Sequence, residues 1–352
     1  KRKVADIKHR WESGTIKIAV AGLEKAGKTT FLNNIINAKI ATLPAFAERC
    51  TATLCEIKDS EEEKAVLSFF SETAFLKNII IPDIEELNRD RNLEKKISIP
   101  NSITSFNKID LPNENIFNTG TSSRMILSRL RDIQSKSGDF QGLLGCPNKD
   151  IDIKEVKNWV AHNEGTSATN PKSIAIERCT VYTKIANGNE PLMLLDTPGV
   201  NDPNPRARRR TLELVEKEAD LLLLMSRPRN QPSPTAEFQN FISDIRSFDS
   251  SVSVQDFQLY VLNNDKSVQD SDRYLKTHKQ LLMGEPYAIP SERIIEVDAT
   301  DADSIRKCFE KINEFLSINL VKRDEFSIQK IRESIYKVEA GILELLESIS
   351  KN

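Results

Sequence analysis

The chain has 352 residues, enough for one large or two modest domains with a real core. Its 50 Lys and Arg stand against 52 Asp and Glu, a net charge of −2, which excludes a general polyanion-binding role and leaves no call for nucleic acid as a partner. The 5 cysteines show no CxxC spacing, and the 3 histidines (His9, His162, His278) form no ligand pair, so a zinc site is not expected and a reduced, cytoplasmic setting is. No uninterrupted apolar run approaches the roughly 20 residues of a membrane span. The N-terminus carries no signal-peptide pattern, and a start at lysine is what a piece of a longer protein would show.

In chain order, residues 1–13 read as a short helix with Val4, Ile7 and Trp11 on one face. Ile16-Lys17-Ile18-Ala19-Val20-Ala21 reads as a buried strand. The next stretch, Gly22-Leu23-Glu24-Lys25-Ala26-Gly27-Lys28-Thr29, fits G-x-x-x-x-G-K-[ST], the phosphate-binding loop. Thr30-Phe31-Leu32-Asn33-Asn34-Ile35-Ile36 then reads as a helix start. Strand, glycine turn and helix N-terminus together make an anion site. Glycines let backbone N–H groups point inward at phosphate oxygens. Lys28 is expected to reach the β- and γ-phosphates, and the Thr29 hydroxyl to hold Mg²⁺.

Residues 40–53 read as a loop ending in Arg49-Cys50-Thr51-Ala52-Thr53. Thr51 is the candidate that closes on Mg²⁺ and the γ-phosphate, with Thr53 as its competitor. Leu54–Ile57 and Ala65–Phe70 read as a strand pair joined by the acidic turn Asp59–Glu63. Residues 75–170 carry Pro82, Pro100, Pro112 and Pro147, with helical patches near Ile84–Asn92, Ser122–Ser135 and Ile153–His162. They read as a mostly helical insertion beside the sheet. Ser173–Tyr182 reads as a strand, and Asn187-Gly188-Asn189 as a hairpin turn into Pro191–Leu195.

Met193-Leu194-Leu195-Asp196-Thr197-Pro198-Gly199 is the second strong signal. An apolar strand ending in Asp, with Gly three residues on, fits the D-x-x-G motif of GTPases. Asp196 is expected to hold Mg²⁺ through water, and the Gly199 amide to sense the γ-phosphate. Arg206, Arg208, Arg209 and Arg210 follow, either as a solvated helix start or as a partner surface. Asp220–Met225, Phe257–Leu262 and Arg293–Val297 read as further strands, with a helix around Glu237–Phe248. Strands alternating with helices imply a mainly parallel sheet covered on both faces.

GTPases read guanine with [NT]-K-x-D after a central strand. Here that strand leads into Asn263-Asn264-Asp265-Lys266. Asn263 fits the first position, Asn264 replaces Lys, and Lys266 falls where Asp belongs. Asp265 could serve with a one-residue shift. Asp298-Ala299-Thr300 could line the base. In the tail, Ile328, Ile331, Ile335, Val338, Ile342, Leu345 and Ile349 alternate spacings of three and four, a heptad seam of a long helix packed either on its own domain or, as so narrow a stripe favours, in a bundle with residues 1–13 and a further partner.

GLEKAGKTT, LPAFAERCTAT, LLDTPGVNDP and EADLLLLMSRPRNQPSPTAEF together resemble the dynamin-like GTPases, particularly bacterial ones, over roughly residues 1–320. The long interval from Thr51 to Asp196 fits an enlarged GTPase domain. The resemblance implies an α/β fold, a doubly wound, mainly parallel P-loop GTPase sheet with a helical insertion, flanked by bundle helices. On that reading residues 1–13 are an N-terminal bundle helix, 14–320 the GTPase domain with its insertion at about 75–170, and 321–352 a bundle or stalk helix. It implies Mg²⁺-dependent hydrolysis of GTP to GDP, with the switches and terminal helices moving in response. It implies a nucleotide-dependent homodimer through the GTPase domain. A peripheral membrane location, or a second dynamin-like partner, would involve regions not present here.

The expected nucleotide contacts are Gly22, Glu24, Lys25, Ala26, Gly27, Lys28, Thr29, Thr30, Asp196, Gly199, Asn263, Asn264, Asp265, Asp298 and Ala299. The expected metal ligands are Thr29, Thr51 and Asp196, and the expected catalytic residues Lys25, Lys28 and Thr51. Several dynamin-related enzymes carry an arginine at the place of Lys25, so Lys25 could supply charge near the bridging oxygen, without the bidentate fork. Glu24 stands where many dynamins have glutamine or serine. Val200 stands where Ras-like enzymes orient water with Gln. Two alternatives stay open: a nucleotide-binding scaffold that does not hydrolyse, and an ATPase of the same fold.

Overall fold

A computed structural model describes residues 14–23, 25–36, 54–160, 170–185, 192–197, 211–215, 218–229, 236–246 and 257–350. Residues 1–13, Glu24, Thr51, Thr53, the turn at 187–189, Gly199, Val200 and the arginines at 206 and 208–210 lie outside the described residues.

The centre is a nine-stranded sheet. Its strands are β1 (Ile16–Gly22), β2 (Leu54–Asp59), β3 (Lys64–Phe69), β4 (Lys149–Ile151), β5 (Ile176–Thr183), β6 (Leu192–Asp196), β7 (Leu221–Ser226), β8 (Gln258–Asn263) and β9 (Ile294–Val297). Their order across the sheet is β4-β3-β5-β2-β6-β1-β7-β8-β9. β6, β1, β7, β8 and β9 run parallel, while β2 pairs antiparallel with β6 and β3 antiparallel with β5. The parallel strands are apolar almost throughout because helices cover both faces. Every residue of β7 and β8 is buried.

Alternate residues of each strand feed opposite cores. Ile18, Val20, Leu223 and Val261 join Phe31, Phe309 and the helices of residues 72–160 on one face. Ala19, Ala21, Leu224 and Tyr260 join Phe241, Leu275 and Leu282 on the other. The helices that matter for the site are α1 (Lys28–Ile35), α2 (Ser122–Phe140), α3 (Ala236–Arg246), α4 (Ser271–Met283) and α5 (Ala302–Ser350). Between β3 and β5 the chain is mostly helical. A helical run from Glu72 to Leu87 passes through a π-turn at Leu76–Ile80 and is tied to α2 by the buried Asp83–Arg129 ion pair.

Three local expectations are corrected. The strands at 54–59 and 64–69 do not pair with each other, because β5 lies between them. β5 and β6 are not hairpin partners, because β2 lies between those two. Residues 173–175 are helical rather than extended: the Asn170 side chain accepts the Lys172 N–H, Pro171 opens a turn of helix, and the strand begins only at Ile176.

α5 spans 49 residues as one helix. Its first turns are buried against the sheet through Ile305, Phe309, Ile312 and Leu316. Farther along, Ile335, Val338 and Ile342 of the heptad seam are exposed. No described helix is long and apolar enough to cross a membrane.

Candidate functional site

The glycine loop joins β1 to α1 at the carboxyl edge of the parallel strands, where α/β sheets bind ligands. Two of its glycines answer steric demands. A Cβ on Gly22 would sit 2.1 Å from the Met225 carbonyl oxygen, so β1 approaches β7 as only glycine allows. Gly27 has φ 93°, and a Cβ there would lie 2.3 Å from Asn263 Nδ2. Lys25 also takes a left-handed conformation, φ 62°, and is exposed.

Lys28 is buried, and its ammonium donates to the Gly22 and Leu23 carbonyl oxygens at 3.1 Å each, inside the curve of the loop. α1 begins without a side-chain cap and without an acidic residue in its first turn, which leaves its leading N–H groups to an anion. Thr29 follows half-buried, and Thr30 is exposed.

Parallel pairing of β1 with β6 sets Val20 opposite Asp196. The Thr197 N–H and hydroxyl both donate to the Val20 carbonyl, at 3.3 and 3.0 Å, and lock the strand end. Asp196 is buried, and burial pushes its carboxyl up to about 6 against the opposing pull of the Lys28 charge and the Thr197 N–H. Lys28 and Asp196 therefore act on one another across the loop. On its other side Asp196 pairs with Cys55, the second residue of β2. Thr51, three residues before β2 begins, lies outside the described residues, as do Glu24 and Gly199.

The far wall is built by Asn263. Its Nδ2 donates to the Ala26 carbonyl at 3.1 Å, and its Oδ1 accepts the Ala299 N–H at 3.1 Å. One side chain so ties the phosphate loop to the loop after β9. Ala299 is also bound from α1, through Asn34 Nδ2 to its carbonyl at 2.7 Å.

The remaining expected base contacts turn to other partners. Asn264 Nδ2 donates to Asp272 Oδ1 at 2.7 Å. Asp265 is paired with Arg227 and accepts the Ser267 N–H at 2.9 Å. Asp298 Oδ1 accepts the Thr300 N–H at 2.9 Å. Gly22, Ala26, Gly27, Lys28, Asp196, Asn263 and Ala299 are thus linked through one set of contacts at the carboxyl edge. Arg227 and Asp272 were not singled out by the sequence, although Arg227 directly follows an apolar strand, where a carboxyl-edge residue is expected.

This donor set fits a magnesium nucleoside triphosphate. A buried ammonium, an uncapped helix start and a hydroxyl on its first turn suit phosphate and a hard cation. A buried carboxylate that is costly to ionise alone suits a cation beside it. Among the described residues, no group of three His, Cys, Asp or Glu forms a separate metal cluster.

A family model described as the dynamin family matches residues 18–265, well over half of the chain. The chain belongs to the dynamin family. Among solved structures, the dynamin chain resembles two described as an oligomerised bacterial dynamin pair that provides a mechanism for long-range sensing and tethering of membranes. One matches at 16% identity with a TM-score of 0.52, the other at 15% with 0.50. Each match covers 98% of this chain and 54% of the solved one, so the chain spans about half the length of the dynamins it matches. At that identity the likeness shows the fold, a mixed α/β dynamin-type sheet. A search of curated proteins finds no match.

Proposed function

We propose that this dynamin-family chain binds GTP with Mg²⁺ at the β1–α1 loop and hydrolyses it to GDP by water attack on the γ-phosphate. The observation that carries the reading is the meeting, at the carboxyl edge, of Lys28 at the start of α1 and Asp196 at the end of β6, the strand paired with β1, in a chain of the dynamin family. Lys28 would exchange its two loop carbonyls for phosphate oxygens. The amides of residues 25–29 would take the negative charge at the start of α1. Thr29, Thr51 and Asp196 would hold the metal, directly or through water. Bound magnesium would supply charge neutralisation along the phosphate chain and orientation of the leaving group. Gly199 would report the γ-phosphate, and Lys25, exposed on the loop, would approach the transferring group.

Residues 14–320 would form the catalytic unit. Its output would pass to α5, because α1 and α5 share the stacked Phe31–Phe309 pair, with centroids 6.3 Å apart. Movement of α1 at the site would then be felt along a helix whose outer half leaves Ile335, Val338 and Ile342 uncovered. Nucleotide-dependent self-association, a cytoplasmic location and peripheral membrane attachment belong to the same proposal; the description of the matching pair as oligomerised and as tethering membranes supports the self-association and the membrane attachment.

Phosphate release from GTP, measured with and without Mg²⁺, tests it. Release should require Mg²⁺ and fall at least about a hundredfold in Lys28→Ala, the loss of two charge-assisted contacts. Release no greater than in the Lys28→Ala control sinks the enzyme reading.

A further inference from the structure

Resting on the nucleotide-binding reading above, we propose that the base site of this chain barely separates guanine from adenine, with Lys266 as the residue that sets this tolerance. Guanine offers two donors on one edge, N1–H and the 2-amino group. A site that selects it must present two acceptors side by side, which one carboxylate with both oxygens open provides. The position two residues after Asn264, where that carboxylate is expected, is Lys266, a donor with no acceptor.

Among the described residues, three carboxylates near that position, Asp265, Asp272 and Asp298, are already committed. Asp265 Oδ1 accepts both the Ser267 N–H at 2.9 Å and its hydroxyl at 2.6 Å, and Asp265 is also paired with Arg227. Asp272 Oδ1 accepts Asn264 Nδ2 at 2.7 Å and Lys266 Nζ at 2.5 Å. Asp298 Oδ1 accepts the Thr300 N–H at 2.9 Å and its hydroxyl at 2.6 Å. In each of these three, one oxygen is filled by two donors, so none of them presents a two-acceptor edge. Freeing Asp265 would break an ion pair whose side chains are only 24% and 17% exposed.

The positive charge of Lys266 adds a direct sign. Adenine carries a bare N1 acceptor where guanine carries N1–H. A lysine turning away from Asp272 toward the base would meet an acceptor in one purine and a donor in the other. Asn263 still ties the loop after β9 to the phosphate loop, while the guanine-reading carboxylate is replaced. Triphosphate and metal contacts, common to both purines, then carry the affinity.

A site built to hydrogen-bond a group rejects the analogue lacking it by roughly 10⁴-fold or more, and one without those bonds does not. The test is competition of GTP, ATP and ITP against a fluorescent triphosphate on the whole chain, with Mg²⁺. GTP, ATP and ITP (which lacks the 2-amino group) should bind within about tenfold of one another. A GTP preference over ATP or ITP greater than tenfold overturns the inference. Installing the usual pattern, Asn264→Lys with Lys266→Asp, should raise the GTP-to-ATP ratio about a hundredfold. A folded variant with an unchanged ratio also overturns it, and the wild-type ratios decide the matter if that variant does not fold. If no triphosphate binds to the folded chain, the nucleotide reading itself fails and this inference with it. Binding of all three at similar strength separates the two, because it upholds the site and removes its selectivity.

Discussion

Asn263→Ala is the substitution whose cost the structure states most directly. The side chain is buried and holds Ala26, 2% exposed, and Ala299, fully buried, in one bridge. Alanine removes both bonds and strands one carbonyl and one N–H away from water. Each stranded group costs about 1–3 kcal/mol, and a carbonyl with a second lone pair sits at the low end. The sum is roughly 3 kcal/mol, a large fraction of ordinary domain stability. With a urea m-value of about 3 kcal/mol/M, the midpoint should fall by about 1 M at unchanged m. Triphosphate affinity should fall about tenfold, because Ala26 lies in the phosphate loop and loses its tether. Asn263→Asp should be no better, since it sets an oxygen against the Ala26 carbonyl. Urea unfolding without nucleotide reads the first effect, and fluorescence titration the second. A loss under about 0.5 kcal/mol in both variants would refute the bridge as a structural link.

Two further predictions concern buried titratable groups. Glu56 on β2 is 2% exposed, accepts the Thr180 hydroxyl at 3.1 Å and pairs with Arg178, while burial holds its carboxyl above the usual range. Arg178→Met leaves that charge uncompensated and should cost about 2 kcal/mol, discounted because the arginine is a third exposed. Adding Glu56→Leu should recover most of the loss in urea unfolding. His278 on α4 is buried with Nε2 3.1 Å from Ser226 Oγ, and burial pulls its pKa from 6.5 down to about 4. The unfolded chain therefore binds more protons between those values, so stability is full above pH 6.5 and is lost as pH falls toward 4. The loss should reach about 3 kcal/mol, and His278→Gln should flatten that part of the stability profile.

Motifs that are local in sequence were legible. β1, the glycine loop and α1 follow one another without interruption, and so do the apolar run of β6 and Asp196. Strand order was not legible, because pairing joins residues far apart. Neighbouring runs suggested hairpins, while β2 is inserted between β5 and β6 and β5 between β2 and β3. At Ser173–Ala175 the apolar residues read as strand, but Asn170 with Pro171 is a helix-start signal, and it prevails. α4 was missed although Leu275, His278 and Leu282 recur at helical spacing on its buried face. The tail helix was read from its seam at Ile328, yet it starts at Ala302, and Ile305, Phe309, Ile312 and Leu316 carry the same spacing into the core. The partners of Asp265 and Lys266 could not be read at all. Arg227 comes from the segment just after β7, and Asp272 from the first turn of α4, both far from a local motif.

A crystal structure with Mg²⁺ and a non-hydrolysable guanosine triphosphate analogue tests the central claim most directly. The account predicts β- and γ-phosphates against the Lys28 ammonium and the amides of residues 25–29, with the metal at Thr29 and within one water of Asp196. A triphosphate seated elsewhere, with Lys28 still bound to the Gly22 and Leu23 carbonyls, would contradict it.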